Sequence, residues 1–310
     1  MLSRIIEKLR KDFRNSYESI KLPQVEERFD IYFSRFFGYY LALVSKHIGL
    51  TPNQVSLLSL LFGLVAGVFF FFQDDVLLVL IACLLITISG LFDSADGQLA
   101  RMTQTSSELG RKVDAIIDSA VFVFCYTGGA IYFLDSTYGW WILPLAALGG
   151  YLHSAKSAAY EFYKTEFLFY VLGSKDFRIP YIEEVKVDSK LNPLVGKMLY
   201  YLELDYIRKQ AQFHGRKRAH REQFEAFSQS EDNKTFKEKY SAVNESILTW
   251  WALVCGTNVH RFALMGFSLF GRMDLYFIYA ILTSAFMFPL LKEQGRMDAR
   301  LVESMRKSAK

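Results

Sequence analysis

A chain of 310 residues that is 52% hydrophobic, 16% aromatic and only 22% charged, with a net charge of +4, is neither disordered nor a disulfide scaffold. Disorder needs few aromatics and a high net charge, and the three cysteines cannot staple this length. The apolar residues are gathered into long runs instead of amphipathic stripes, so the bilayer is the first solvent to consider.

Residues 1–50 read as interfacial amphipathic helices. Ile5, Ile6, Leu9 and Phe13 fall at helical spacing beside Arg4, Lys8 and Lys11, and Tyr32, Phe33, Phe36 and Phe37 surround Arg35. Such a pattern lies on an anionic membrane surface. Thr51-Pro52-Asn53 then breaks the chain before a first uncharged run, Val55 to Phe72, and a second, Val76 to Phe92, ends at Asp93. The third runs from Ala120 to Leu134. The fourth starts at Trp140 and continues past Gly150, through His153 and Lys156, to Tyr163. These two approach the roughly 20 residues of a spanning helix only by including their polar ends. The last two occupy about Ile247 to Phe270 and Leu275 to Leu291. Cys83, Cys125 and Cys255 sit in apolar runs, as buried thiols do.

The expected fold class is therefore all-α: a polytopic, multi-pass membrane protein with six transmembrane helices and an N-terminal amphipathic juxtamembrane helix. Residues 73–75 and 135–139 contain no Lys or Arg, and 271–274 only Arg272, whereas the N-terminal segment, Arg101, Arg111, Lys112, residues 164–239 and the C-terminus are basic. By the positive-inside rule both termini are cytoplasmic. The first apolar run starts too late for a signal peptide. Residues 173–244 are too long and polar for an interhelical loop and read as a cytoplasmic helical insertion, with Arg216, Lys217, Arg218 and Arg221 either against lipid head groups or, the favoured reading, on a solvated face. The expected division is 1–50 interfacial helices, 51–172 the first four spans, 173–244 the insertion, 245–292 the last two spans and 293–310 a basic cytoplasmic tail.

The chemistry is concentrated where the second run meets the cytoplasm. Asp93 and Asp96 are three residues apart and share a helical face with Gly97, Ala100 and Arg101; Asp114 and Asp118, four apart, share a face of the next helix. An antiparallel pair of these helices would oppose the two carboxylate pairs. Four converging acids repel one another unless divalent cations neutralise them, and an all-oxygen set suits Mg²⁺, Mn²⁺ or Ca²⁺ over zinc. Two such metals can clamp the oxygens of a phosphoryl group during in-line displacement. Gly97 and Ala100 leave a strip without bulk for a ligand, and Arg101 adds a permanent cation for phosphate. The plainer reading is a set of interface carboxylates paired with Arg101, Arg111 and Lys112.

The full pattern resembles the signature of the CDP-alcohol phosphotransferase family, also called the class I CDP-alcohol phosphatidyltransferases: D-x₂-D-G-x₂-A-R-x₈-G-x₃-D-x₃-D. It stands here as Asp93, Asp96, Gly97, Ala100, Arg101, Gly110, Asp114 and Asp118, with every spacing kept. Eight such positions coincide by chance at a rate on the order of 10⁻¹⁰ per start site. The six spans, the juxtamembrane helix and the Pro52-Asn53 pair also agree with the family, over roughly Ile31 to Tyr163 and the last two spans, whereas residues 173–244 depart from it.

The resemblance implies a phospholipid-synthesis transferase of the EC 2.7.8 type, with its active site on the cytoplasmic side of the membrane. It would move the substituted phosphate of a CDP-alcohol to an acceptor hydroxyl and release CMP. Asp93, Asp96, Asp114 and Asp118 would hold two Mg²⁺ or Mn²⁺ ions, and Asp118 would also be the general base. Asn53, Asp93, Gly97, Ala100 and Arg101 would line the CDP site. CDP-diacylglycerol is the favoured donor and a polar alcohol of the inositol phosphate, glycerol phosphate, inositol or serine type the acceptor, with His153 and Lys156 as acceptor contacts. The alternative within the family is a soluble CDP-choline or CDP-ethanolamine with diacylglycerol. Membrane lipids are expected partners, nucleic acid is not, and homodimerisation stays open.

For Lys156, snorkelling to the interface competes with acceptor binding, and Arg261 could pair with Asp274 on the far side. Competing readings of the whole chain are a Mg²⁺-dependent prenyltransferase, whose usual DDxxD grouping is missing, a cation-dependent transporter or channel, which wants carboxylates deep within the spans, and an inactive scaffold.

Overall fold

Thr51 closes a capping box with Gln54: the Thr51 amide donates to Gln54 Oε1 at 2.8 Å and the Gln54 amide to Thr51 Oγ1 at 3.4 Å, with Pro52 at the first helical position. This fixes the start of the first long apolar helix. The computed structural model describes residues 26–106, 108–174, 177–186 and 192–308. The expected amphipathic pattern of Ile5 to Phe13 lies outside the described residues. Among those described, all regular structure is helical and no strand occurs.

The helices are α1 (Arg35–His47, entered through a π turn at Asp30–Ser34), α2 (Pro52–Phe69), α3 (Val76–Met102), α4 (Glu108–Tyr132), α5 (Ile142–Leu172), α6 (Pro193–Phe213), α7 (Arg218–Gln229), α8 (Asn233–Cys255), α9 (Thr257–Leu269), α10 (Met273–Leu282) and α11 (Met287–Ser308). Four helical stretches among the described residues are long and apolar enough to cross a bilayer: Pro52–Phe69, Val76–Met102, Ile116–Asp135 and Met273–Lys307. They coincide with the first, second, third and sixth expected spans. The fourth expected span lies in α5, which carries Lys156 near its middle and Glu161, Lys164 and Glu166 in its second half. The fifth is divided at Gly256, which holds an extended conformation between α8 and α9.

The chain divides into two units, Met1–Tyr151 with Arg261–Ala280 and Leu152–His260 with Ile281–Lys310, each considered over its described residues. In the first, α2 packs against both α3 and α4, and α1 against α3. Ser59 and Ser89 tie α2 to α3 by reciprocal bonds, each hydroxyl donating to the other residue's carbonyl at 2.9 Å. Against α4 the contact is made by absence of side chains. A Cβ on Gly67 would stand 2.8 Å from the Phe124 carbonyl carbon, and one on Gly128 would collide with the Gly67 carbonyl oxygen. Gly63 and Gly67, four apart, are the small-residue spacing that lets membrane helices approach backbone to backbone. Phe70, Ile86, Cys125, Tyr126, Tyr276 and Phe277 fill the core, while Leu57, Leu61, Leu77, Leu84 and Val123 face outward, as lipid-facing positions do.

The second unit is built on buried charge. Arg216 bonds Asp298 through Nε (2.7 Å) and Nη2 (2.8 Å), pairs with Glu166 and donates to the Tyr240 hydroxyl at 3.0 Å. Arg221 donates to Glu166 Oε1 at 2.6 Å and to the Ile179 carbonyl at 2.9 Å. Tyr163, Phe224 and Tyr240 present ring faces to the Arg216 guanidinium. The expectation of a solvated basic face thus holds for the exposed Lys217 and Arg218 and fails for Arg216 and Arg221. Glu166 and Asp298, from distant segments, supply the countercharge that makes their burial tolerable.

His214 belongs to this network. Its ring stacks on Phe162 at 3.8 Å, and its Nδ1 accepts from the Arg216 amide at 2.8 Å. Burial, then the charges of Arg216 and Arg221, push its pKa down from 6.5 to about 3.

Two predictions follow from this packing. Gly128→Ala should lower stability by about 1–3 kcal/mol, since both contacting atoms are backbone and cannot step aside; denaturant unfolding of the detergent-solubilised chain measures it. Between about pH 6.5 and 3 the unfolded chain holds a proton on His214 that the folded one refuses, so stability falls as pH drops through that window. His214→Phe should flatten this part of the Tm-against-pH curve relative to wild type.

Candidate metal and phosphate site

The last turns of α3 and the first turns of α4 carry the acidic motif. Because each helix rests on α2, their acidic ends meet through side chains. One carboxylate oxygen from each of Asp93, Asp96 and Asp114 lies within 4.8 Å of the others. Asp96 is only 5% exposed. The Asp93 and Asp114 carboxyls lie within hydrogen-bonding reach of each other. Asp114 Oδ1 is buried and accepts no hydrogen bond. Asp118 stands one turn further along α4, half-buried and outside the group of three.

Two carboxylates this close cannot both ionise without a shared proton or a cation. A hard divalent cation meets every feature of the set: oxygen donors only, three charges to neutralise, and a buried oxygen with nothing to accept. Of the three cations in the plainer reading, Arg101 forms no ion pair with an aspartate among the described residues, and its Nε is buried without a hydrogen bond. The side chains of Arg111 and Lys112 lie outside the described residues.

The other motif positions surround this cluster along α3. A Cβ on Gly97 would meet only Arg101 Nη1, at 3.5 Å, and both Gly97 and Ala100 are half-buried. Asn53 is exposed in the first turn of α2. His153 and Lys156 belong to the second unit. His153 stacks on His260 at 3.9 Å, and Lys156, 0% exposed, donates to Thr283 Oγ1 at 2.6 Å. Lys156 therefore does not snorkel, because a neighbouring hydroxyl receives its ammonium inside the unit.

Three residues at the cluster escape a motif-based reading. Ser56 of α2 donates its hydroxyl to Asp96 Oδ2, with the Pro52 carbonyl as the other acceptor in reach at 3.1 Å. Arg35 of α1, which pairs with Glu26 at 2.9 Å, and Arg261 of α9 lie near enough to Asp93 for their positive charge to act on it. Arg261 lies over Gly90, one turn before Asp93, where a Cβ would stand 2.5 Å from its Nη1. It does not pair with Asp274, which is held instead by Arg272 at 2.8 Å and by Tyr138 at 2.9 Å. The available signals were a serine in an apolar run and an arginine inside another; neither says which aspartate it serves.

Residues 49–156, which contain the whole cluster, match the family model for CDP-alcohol phosphatidyltransferase. The chain is also 30% identical over 110 residues to the archaetidylinositol phosphate synthase of Pyrococcus horikoshii, an alignment covering 34% of this chain and 53% of that protein. The chain thus spans about half the length of the curated relative it matches.

Removing the donor that orients Asp96 should loosen the set without dismantling it. Ser56→Ala is expected to weaken Mn²⁺ binding by roughly tenfold, the effect usual for an outer partner of a metal ligand. Titration followed by the electron paramagnetic resonance of free Mn²⁺ checks it; unchanged affinity would detach Ser56 from the site.

Proposed function

We propose, from the match of residues 49–156 to the family model for CDP-alcohol phosphatidyltransferase, that the chain is a membrane-embedded phosphotransferase that moves the substituted phosphate of a CDP-alcohol to an acceptor hydroxyl, releasing CMP. The observation that carries this reading is the convergence of Asp93, Asp96 and Asp114 within 4.8 Å around a buried, unbonded Asp114 Oδ1. These three residues, joined by Asp118, would hold Mg²⁺ or Mn²⁺, two ions per site. Bound there, such cations neutralise charge that develops on the phosphoryl oxygens.

The protein's own groups account for the rest. Ser56 fixes Asp96, while Arg35 and Arg261 keep positive charge on the Asp93 side of the cluster. The small residues Gly97 and Ala100 would let the diphosphate approach the backbone, with Arg101, whose Nη1 stands 3.5 Å from a Cβ on Gly97, as its cation and Asn53 at the rim of the CDP site. Asp118, one turn from Asp114, takes the acceptor proton. The acceptor oxygen bonds to the β-phosphorus as the bond from that phosphorus to the CMP oxygen breaks, and no covalent enzyme intermediate is required.

The donor in this reading is CDP-diacylglycerol and the acceptor a polar alcohol. The product for which the Pyrococcus horikoshii relative is named, archaetidylinositol phosphate, favours an inositol phosphate within that set. His153 and Lys156 are offered as acceptor contacts on the strength of a buried ammonium on a helix that begins in the matched domain. We also infer that α5 and the pair α8–α9 complete six spans, that both termini and the acidic cluster face the cytoplasm, and that residues 173–244 form a cytoplasmic insertion. The distribution of Lys and Arg supports this orientation.

The test is CMP release from purified chain in mixed micelles with Mg²⁺ or Mn²⁺. CDP-diacylglycerol is supplied with a panel of polar acceptors, and CDP-choline or CDP-ethanolamine with diacylglycerol. Asp118→Asn should abolish turnover, by a factor of about 10² or more, and keep metal-dependent binding of the CDP-alcohol. Asp93→Asn should lose both. Wild-type turnover in Asp118→Asn would remove it as the base, and no CMP from any combination would sink the enzymatic reading.

A further inference from the structure

Helix α6 has two apolar faces, and the rest of the second unit covers one of them. Leu199, Leu204 and Ile207 are buried, yet Leu194 is 79% exposed, Tyr201 66% and Met198 54%, with Leu202 exposed beside them. At 100° per residue, these four and the exposed cations Lys197 and Arg208 share an arc of about 140°. Asp205 falls within the same arc and is paired with Lys209 at 2.7 Å, so Lys197 and Arg208 remain as its net charge.

We propose that α6 docks through this face onto an anionic lipid surface, with Leu194, Met198, Tyr201 and Leu202 among the upper acyl chains and Lys197 and Arg208 at the lipid phosphates. The interleaving of cations with large apolar side chains selects this occupant. Protein interfaces deplete lysine, whereas an interfacial helix uses long basic side chains to reach the phosphates and places Tyr at the headgroup level. The bilayer is also within reach, because the chain carries four helices able to span it. The proposal rests on the membrane-spanning reading alone and stands whether or not the matched domain is catalytic.

Full-length chain is reconstituted into vesicles of phosphatidylcholine and phosphatidylglycerol with a fluorophore on Tyr201→Cys. The reference probe sits on Glu222→Cys of α7, a position whose side chain is 58% exposed. Unsubstituted chain treated with the same reagent reports labelling of Cys83, Cys125 and Cys255, which are buried. Phosphatidylcholine bearing a shallow doxyl group should quench the Tyr201→Cys probe roughly threefold more than the reference, and aqueous iodide should quench it less. Met198→Cys carries the same expectation should Tyr201→Cys fold poorly. Replacing phosphatidylglycerol with phosphatidylcholine, or adding Lys197→Glu and Arg208→Glu, should reduce the lipid quenching.

Equal quenching of both probes by both agents would overturn the proposal. So would Tyr201→Cys disulfides between copies at high lipid dilution, which would make a second chain the occupant. Shielding from both quenchers without such cross-links would point to cover by the chain itself and would equally overturn it. CMP release from the same vesicles is scored separately, so failure of one reading leaves the other measurable.

Discussion

Carboxylates do not gather inside 4.8 Å at the end of an apolar helix bundle unless something offsets their charge. That constraint orders the first unit. The acids come from two helices that are each seated on a third, and the seat is made by removing side chains: Gly67 and Gly128 let α2 and α4 approach backbone to backbone, and Gly63 makes room for the Val121 side chain. A bulkier residue there would move α4, and with it Asp114, away from Asp93. The positive groups around the cluster arrive from helices far apart in the chain, Arg35 from α1 and Arg261 from α9, so the electrostatics of the site depend on the whole packing of the unit.

The second unit meets the same problem with a different answer. Arg216, Arg221, Glu166 and Asp298 are buried together, and each charge finds its opposite within the protein. Here the compensation is internal and complete, with ring faces closing around the guanidinium of Arg216. In the acidic cluster it is left incomplete, with Asp114 Oδ1 buried and unbonded. A closed network suits a structural role. An open one suits a site that takes up a cation and a phosphate.

The acidic motif was legible because its spacing is a local property. Positions three and four apart share a helical face whatever the helix packs on, so Asp93 with Asp96, and Asp114 with Asp118, could be paired from the sequence. The expected direct packing of the two helices was less well founded, since α2 mediates much of it. Ser56 was not legible: a serine in an apolar run can as easily bond its own backbone, and only the seating of α2 on α3 turns its hydroxyl to Asp96. Arg216 and Arg221 were misread for the same reason. A run of basic residues looks solvated until Glu166 and Asp298, respectively 50 and 82 residues from Arg216 in the chain, are folded onto it.

The sequence by itself determined an all-helical chain with apolar runs long enough for a bilayer, and placed a spaced set of acids where one run ends. Hydropathy and helical periodicity act over a few turns and need no partner to be read. The tertiary structure decided which charges meet: that Asp93, Asp96 and Asp114 converge while Asp118 stands one turn away, that Arg261 serves Asp93 and Arg272 serves Asp274, and that Lys156 is enclosed. Coulomb interactions depend on distance through space, and for residues far apart in the chain that distance exists only once the helices have packed.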